Sequence, residues 1–157
     1  MQVQRHERVT PLRPGATLRL NIPPEPRFAR YVRERVAGFA ASYNLDGNDL
    51  RDFLTALGEA LANSMEHSGS PEAIEVTCWL VGTDQFLATV VDKGIGFTVP
   101  TPELEPRLPG LESERGRGLP IMRRCTDIFA VRSEIGKGTS VILGRYLRRP
   151  GDIETAS

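Results

Sequence analysis

Cysteine and histidine are scarce in this chain: two of each in 157 residues. Cys78 and Cys125 have no metal-ligand spacing, and His6 and His67 add none, which argues against a zinc site. Both cysteines fall in apolar contexts and are expected as buried thiols. Net charge is absent, with 20 basic against 20 acidic residues, so no overall field points to a nucleic acid or a membrane surface. Long apolar runs are missing as well. None could span a bilayer, and the first residues lack the charged-then-apolar order of a signal peptide. A cytoplasmic protein is the expectation. No internal repeat or low-complexity tract interrupts the chain, whose length suits one domain with a proper core.

What is present is periodic. Residues 1–15 mix Arg5, His6, Glu7 and Arg8 with Pro11 and Pro14, which reads as a flexible arm with a solvated His6. Leu18, Leu20 and Ile22 alternate with polar residues and predict a half-buried strand, ended by Pro23-Pro24-Glu25-Pro26. Phe28, Tyr31, Val32, Val36, Phe39, Ala40 and Tyr43 keep helical spacing, so an amphipathic helix is predicted over 27–43. A second helix is predicted from about Asp49 to His67, with Asp46 or Asn48 placed to cap it. Alternation over 74–81 and 86–91, around Gly82-Thr83-Asp84, predicts a hairpin that delivers Asp92 into Lys93-Gly94-Ile95-Gly96. Residues 98–117 are rich in proline and charge and lack periodicity; a loop that long inside a domain is a lid, a binding loop or a disordered segment. A short helix opens at Gly118-Leu119-Pro120, strands follow over 127–134 and 139–146 around Gly136-Lys137-Gly138, and the tail from 148 to 157 is polar. This order predicts an α+β fold: a two-layer sandwich of a mixed, mostly antiparallel sheet with helices on one face.

The second helix carries the most informative stretch, Glu59-Ala-Leu-Ala-Asn63-Ser-Met-Glu66-His67. Leu50, Phe53, Leu54, Leu57 and Leu61 form its expected core face. Glu59, Asn63 and Glu66 or His67 form a polar stripe at i, i+4 and i+7 or i+8. Such a stripe is commonly just a solvated face. Ala56 and Ala60 beside it would let a ligand approach closely, and two glycine-rich turns follow later in the chain. Read together as a nucleotide site, these pieces have complementary chemistry. The Asn63 amide offers a hard oxygen to magnesium, which keeps phosphates and waters for the rest of its shell. Glu59, one turn earlier, is placed to take a proton from an attacking hydroxyl or water. Asp92 can accept from an exocyclic amine and so select adenine over guanine, and Gly94 and Gly96 let backbone pass close to a base or sugar. Gly116-Arg117-Gly118 at a helix start offers N–H groups to phosphate. Arg115 or Arg117 can meet the charge of a terminal phosphate.

In that order and spacing the chain resembles the GHKL ATPase superfamily, the Bergerat fold shared by gyrase, certain chaperones, histidine kinases and mismatch-repair ATPases. Glu59 to His67 looks like its N box, Asp92 to Gly96 its first glycine box, Gly116 to Gly118 its second, and Gly138-Thr139 its threonine step. The resemblance covers residues 16–147, with 98–117 as the ATP lid. Within the superfamily the match is best to the stand-alone serine/threonine kinases that act as bacterial anti-sigma factors, which share Gly-Glu-Ala-Leu-Ala-Asn with a histidine four residues on, as in Gly58 to His67.

The resemblance implies the following roles. Asn63 would coordinate Mg2+, Glu59 would be the general base toward a serine or threonine hydroxyl, and Asp92 supported by Thr139 would bind the adenine amine of ATP. Gly94 and Gly96 would shape the adenosine pocket. Arg115, Gly116, Arg117 and Gly118 would serve the phosphates, with either arginine near the γ-phosphate. The implied partners are a small anti-anti-sigma protein of the STAS type as substrate, a sigma factor as competing partner, and a second copy in a homodimer. Neither direct nucleic-acid binding nor membrane binding is implied. An alternative is a non-catalytic nucleotide-binding or partner-capture module in a partner-switching pathway. A third reading is the ATPase part of a split sensor kinase.

Overall fold

The computed structural model describes residues 16–97 and 118–147. The arm (1–15), the segment read as a lid (98–117) and the tail (148–157) lie outside them. Strand β1 is Thr17–Ile22, and its alternation buries Leu20 and Ile22 while leaving Thr17, Arg19 and Asn21 exposed. A 3-10 turn, Pro26–Phe28, leads into helix α1, Ala29–Ala41. The helix is therefore shorter than the predicted 27–43. Its first turn is wound tighter, and the chain leaves helical geometry before Asn44, whose φ is 68°. Tyr43 and Leu45 lie past the helix end yet are buried, so their apolar spacing reflects core packing rather than helix.

Helix α2 is Gly47–His67. Asp46 takes the N-cap position but makes no side-chain cap bond, and Asn48 Oδ1 instead accepts from Arg51 Nη1 at 3.0 Å. Of the expected core face, Phe53, Leu57 and Leu61 are buried, whereas Leu50 and Leu54 are only partly so. The buried arc is turned toward Ala56, Ala60 and Ser64. Small side chains on that side let α2 lie close to the sheet and to helix α3, Gly118–Arg124.

The other strands are β2 (Ile74–Val81), β3 (Gln85–Asp92), β4 (Ile128–Glu134) and β5 (Gly138–Tyr146). Their order in the sheet is β1-β2-β3-β5-β4. All four pairings are antiparallel, so the described sheet is antiparallel throughout, where a mixed, mostly antiparallel one was expected. β4 runs parallel to β3, but its hairpin partner β5 folds back between them. One row of the register crosses the whole sheet: Leu20, Val76, Val90, Val141 and Val131. This row faces the helices, and β-branched residues suit such a pleated, buried surface. Phe86 stands on the same face, 5.3 Å between ring centroids from Phe53 and 5.9 Å from Phe39. Cys78 is in this core, and burial pushes its thiol up to about 12, so it stays protonated and unreactive. Cys125 is only partly buried, contrary to expectation.

At the sheet end away from the glycine-rich turns, Arg145 of β5 reaches under α2. Its Nη2 donates to Asp49 Oδ1 in the first turn of α2 and its Nη1 to the Cys125 carbonyl at 3.3 Å. Its Nε lies 3.5 Å from Asp127 Oδ2. One guanidinium thus ties together α2, β5 and the link from α3 to β4.

Gly38 sits in the interior of α1 and is exposed, and an added Cβ would meet nothing within 4 Å. Glycine costs about 0.5–1 kcal/mol relative to alanine in a helix interior. Gly38→Ala is expected to raise stability by about that amount, read as an upward shift of the urea midpoint at constant slope. A downward shift would mean that the bare backbone there is needed by a contact from outside the described residues.

Candidate functional site

The lining of one cleft begins on α2. Ala60, Asn63, Ser64 and His67 recur at i, i+3, i+4 and i+7, and all four line it. Ala60 and Ser64 are buried, while Asn63 and His67 are half-buried. Glu59 is half-buried but is absent from the described residues that line the cleft. It sits one residue before Ala60, about 100° farther round the helix. Glu66 is exposed and lies 3.6 Å from His67 Nε2. The polar stripe is therefore split: one edge faces the cleft and the other faces solvent.

Across from α2, the register row Asp92–Thr139–Ser133 continues the buried valine row by one step on the same sheet face. Asp92 is 5 % exposed. Its Oδ2 accepts from Ser64 Oγ and its Oδ1 from the Gly94 N–H, each at 2.9 Å. An ionised carboxylate has about four lone-pair sites, so two remain for a donor in the cleft. Thr139 Oγ1 lies 2.8 Å from Ser133 Oγ, which accepts from the Phe97 N–H at 2.8 Å and donates to the Gly138 carbonyl at 3.3 Å.

The glycine turn after β3 is held by backbone contacts on both sides. The Ile95 N–H donates to the Ser68 carbonyl at 2.8 Å, at the end of α2. The Gly136 N–H donates to the Ile95 carbonyl at 2.7 Å, from the turn between β4 and β5. A Cβ on Gly94 would stand 2.2 Å from the Ser68 carbonyl oxygen. Gly96 has φ 71°, and its Cβ would stand 2.1 Å from the Glu134 carbonyl oxygen. Only glycine fits either place. Gly96 lines the cleft; Gly94 acts one step back, through its N–H on Asp92 and its closeness to Ser68.

The cleft encloses about 440 Å³ including its open mouth. Leu119 and Met122 of α3 close it with Phe97, Val131 and Val141, and Asn63, Asp92 and Thr139 converge on it. Apolar walls with a few placed polar groups are the usual make-up of a small-molecule site. This one suits a flat heterocycle carrying an amine donor. Among the described residues no three His, Cys, Asp or Glu side chains group to hold a metal. The Asn63 amide oxygen at the rim fits a magnesium ion that takes its remaining ligands from phosphates and water.

The structure thus brings Asn63, Asp92, Gly96 and Thr139 around one cleft, and it places Gly94 behind Asp92 and Glu59 beside the lining. Arg115, Gly116 and Arg117 lie outside the described residues, and Gly118 opens α3. Sequence reasoning missed Ser64 and Ser133. A hydroxyl on the apolar arc of α2, four residues after Ala60, was the available signal, because buried polar groups have partners. Ser133 follows Val131 at the same alternation on β4.

Comparison with known proteins adds three findings. The family model described as histidine kinase-like ATPase domain matches residues 22–145. The anti-sigma F factor of Clostridium beijerinckii is 30% identical over 118 residues, covering 72% of this chain and 82% of that protein. The anti-sigma F factor of Clostridium acetobutylicum is 31% identical over 117 residues, covering 72% and 81%. A crystal structure of the RsbU and RsbW domains of Rv1364c from Mycobacterium tuberculosis shares the fold at a TM-score of 0.66 and 23% identity, over 87% of this chain. This chain spans 33% of the length of that two-domain chain.

Proposed function

This chain belongs to the histidine kinase-like ATPase domain family, and from that membership we propose that it is a Mg2+-ATP-dependent serine/threonine protein kinase acting as an anti-sigma factor. Its substrate in this reading is a small anti-anti-sigma partner of the STAS type, and in the unphosphorylated partner's absence it sequesters a sigma factor. The name of these relatives, anti-sigma F factor, supports the pathway. The observation that carries the adenine part is Asp92, a buried carboxylate that keeps acceptor capacity toward a mostly apolar cleft.

Magnesium-ATP, when bound, supplies the transferable phosphoryl group and much of the charge compensation. Asp92 accepts the adenine amine, with Thr139 beside it. Gly96 and Gly94 keep the wall thin and the carboxylate in place. Asn63 offers its amide oxygen to the metal. Glu59 takes the proton of the attacking serine or threonine hydroxyl. Arg115 or Arg117, with Gly116 and Gly118, meets the phosphates from segment 98–117 and the start of α3. A homodimer and a cytoplasmic location belong to the same reading. No helix among the described residues is long and apolar enough to cross a membrane.

A second reading is partner capture without transfer, in which Glu59 has no part in the output. Single-turnover labelling with a STAS-type partner separates the two. Phosphate is expected on a serine or threonine of the partner. Glu59→Ala should slow its appearance by about 10²–10⁴-fold, the usual contribution of a general base, while nucleotide affinity holds. Stable capture with no label would overturn the kinase reading; a transfer rate indifferent to Glu59→Ala would overturn Glu59 as base; label on a histidine would favour a split sensor kinase.

A further inference from the structure

Ser64 is the hydroxyl on α2 that departs from ordinary helix behaviour. A serine or threonine inside a helix commonly turns its hydroxyl back to the carbonyl four residues earlier. Thr55 does this with Arg51 at 2.9 Å, and Thr126, just past the end of α3, makes the same bond with Met122 at 2.7 Å. Ser64 instead sends its proton across to β3, onto Asp92 Oδ2 at 2.9 Å. The residue is 4 % exposed and lines the cleft next to Asn63.

From this geometry we infer that Ser64 is a positioning residue that sets the preference for a base carrying an exocyclic amine, by locking the carboxylate plane of Asp92. The inference rests on the adenine-nucleotide reading of the cleft. A carboxylate at a strand end rotates freely about its terminal bond unless both oxygens are engaged. Here the Gly94 N–H holds Oδ1 and the Ser64 hydroxyl holds Oδ2. With both donors in place, the two spare lone pairs keep one direction and meet an amine at a fixed spot. Without Ser64, only the backbone donor remains, and the carboxylate can turn about it. The ring stacking of Leu119 and Met122 on a base needs no such alignment, so purines lacking the amine are indifferent to the change. Because Asn63 and Ser64 are consecutive on one rigid helix, metal and base are read by the same element.

The test is calorimetric binding of two probes with magnesium to the full chain: ADP, and purine riboside diphosphate, in which a hydrogen replaces the amine. Ser64→Ala is the variant. Alanine is no larger and is the strongest helix former, so α2 is retained. ADP affinity is expected to fall about tenfold, and purine riboside diphosphate affinity to stay within about twofold, collapsing the preference between them. If the two affinities fall together, Ser64 merely supports the fold; if ADP affinity is unchanged, Asp92 needs no lock. Either result overturns the inference and leaves the adenine reading standing when the wild type still prefers ADP. A wild type that binds neither probe overturns both.

Discussion

On the adenine reading of the cleft, Asp92→Asn is expected to weaken magnesium-ATP binding at least tenfold while leaving the fold intact. The side chain keeps its shape, so the core and the strand pairing are undisturbed. Its chemistry changes at the worst place. Both carboxylate oxygens now face donors, the Ser64 hydroxyl and the Gly94 N–H. The hydroxyl can reverse and accept, but a backbone N–H cannot. The amide oxygen must therefore stay on Gly94 and the NH2 must turn to Ser64, which leaves a neutral group opposite the adenine amine. Hydrogen bonds to charged groups contribute about 1.5–3 kcal/mol, so affinity should drop by roughly 10- to 100-fold or more. Calorimetry on the wild type and the variant checks this, with circular dichroism confirming that the fold survives. Undiminished binding in the variant would show that the base is read elsewhere. Absence of binding in the wild type would move the capture reading to the front.

Arg145→Met is expected to produce the largest loss of stability. The Arg145 side chain is 14 % exposed and its partner Asp49 18 %, so both charges are largely removed from water. Truncating one member of such a pair costs about 3–5 kcal/mol. Two features place this cluster at the lower end. Asp127 is more exposed, and among the described residues Arg145 Nε has no hydrogen-bond partner. About 3 kcal/mol corresponds to a fall in Tm of roughly 6–12 °C for a domain of this size. In the double variant Asp49→Asn with Arg145→Met the combined loss should be smaller than the sum of the two single losses, because the two side chains are in direct contact. A melting temperature unmoved by Arg145→Met would mean that the cluster is solvated in solution and ties nothing together.

The site was partly legible in the chain. Asn63, Asp92, Gly94, Gly96 and Thr139 each stand at a position with a local signature: a turn of helix, a strand end, a glycine turn, a strand start. The partners of those residues carry no such mark. Ser64 looked like one more polar residue near a solvated stripe, and Ser133 like an ordinary strand residue. The position of Glu59 relative to the described cleft is likewise unmarked in the chain. Helical spacing shows that Glu59 and Asn63 lie on the same side of α2, but the cleft covers a narrower arc than that side. Which arc is covered depends on how α2 is rolled against the sheet and α3, and small residues at Ala56 and Ala60 decide that roll. The start of α1 shifted because Pro26–Phe28 winds as a tight 3-10 turn, and α2 begins two residues earlier than expected, with Asp46 at its N-cap position but without a side-chain cap bond.

By itself, the amino-acid sequence determined the order of helices and strands, the buried face of most of them and the α+β class. Those properties follow from periodicities of two and 3.6 residues, which are local and survive in any window of the chain. The tertiary structure alone decided the insertion of β5 between β3 and β4, the roll of α2 over the cleft, and three polar links, two beside the cleft and one at the far end of the sheet. Those links join residues 28, 36 and 96 positions apart: Ser64 with Asp92, Phe97 with Ser133, and Asp49 with Arg145. Each satisfies a polar group that would otherwise be costly to bury, and the identity of its partner is fixed only when the sheet and the helices have packed.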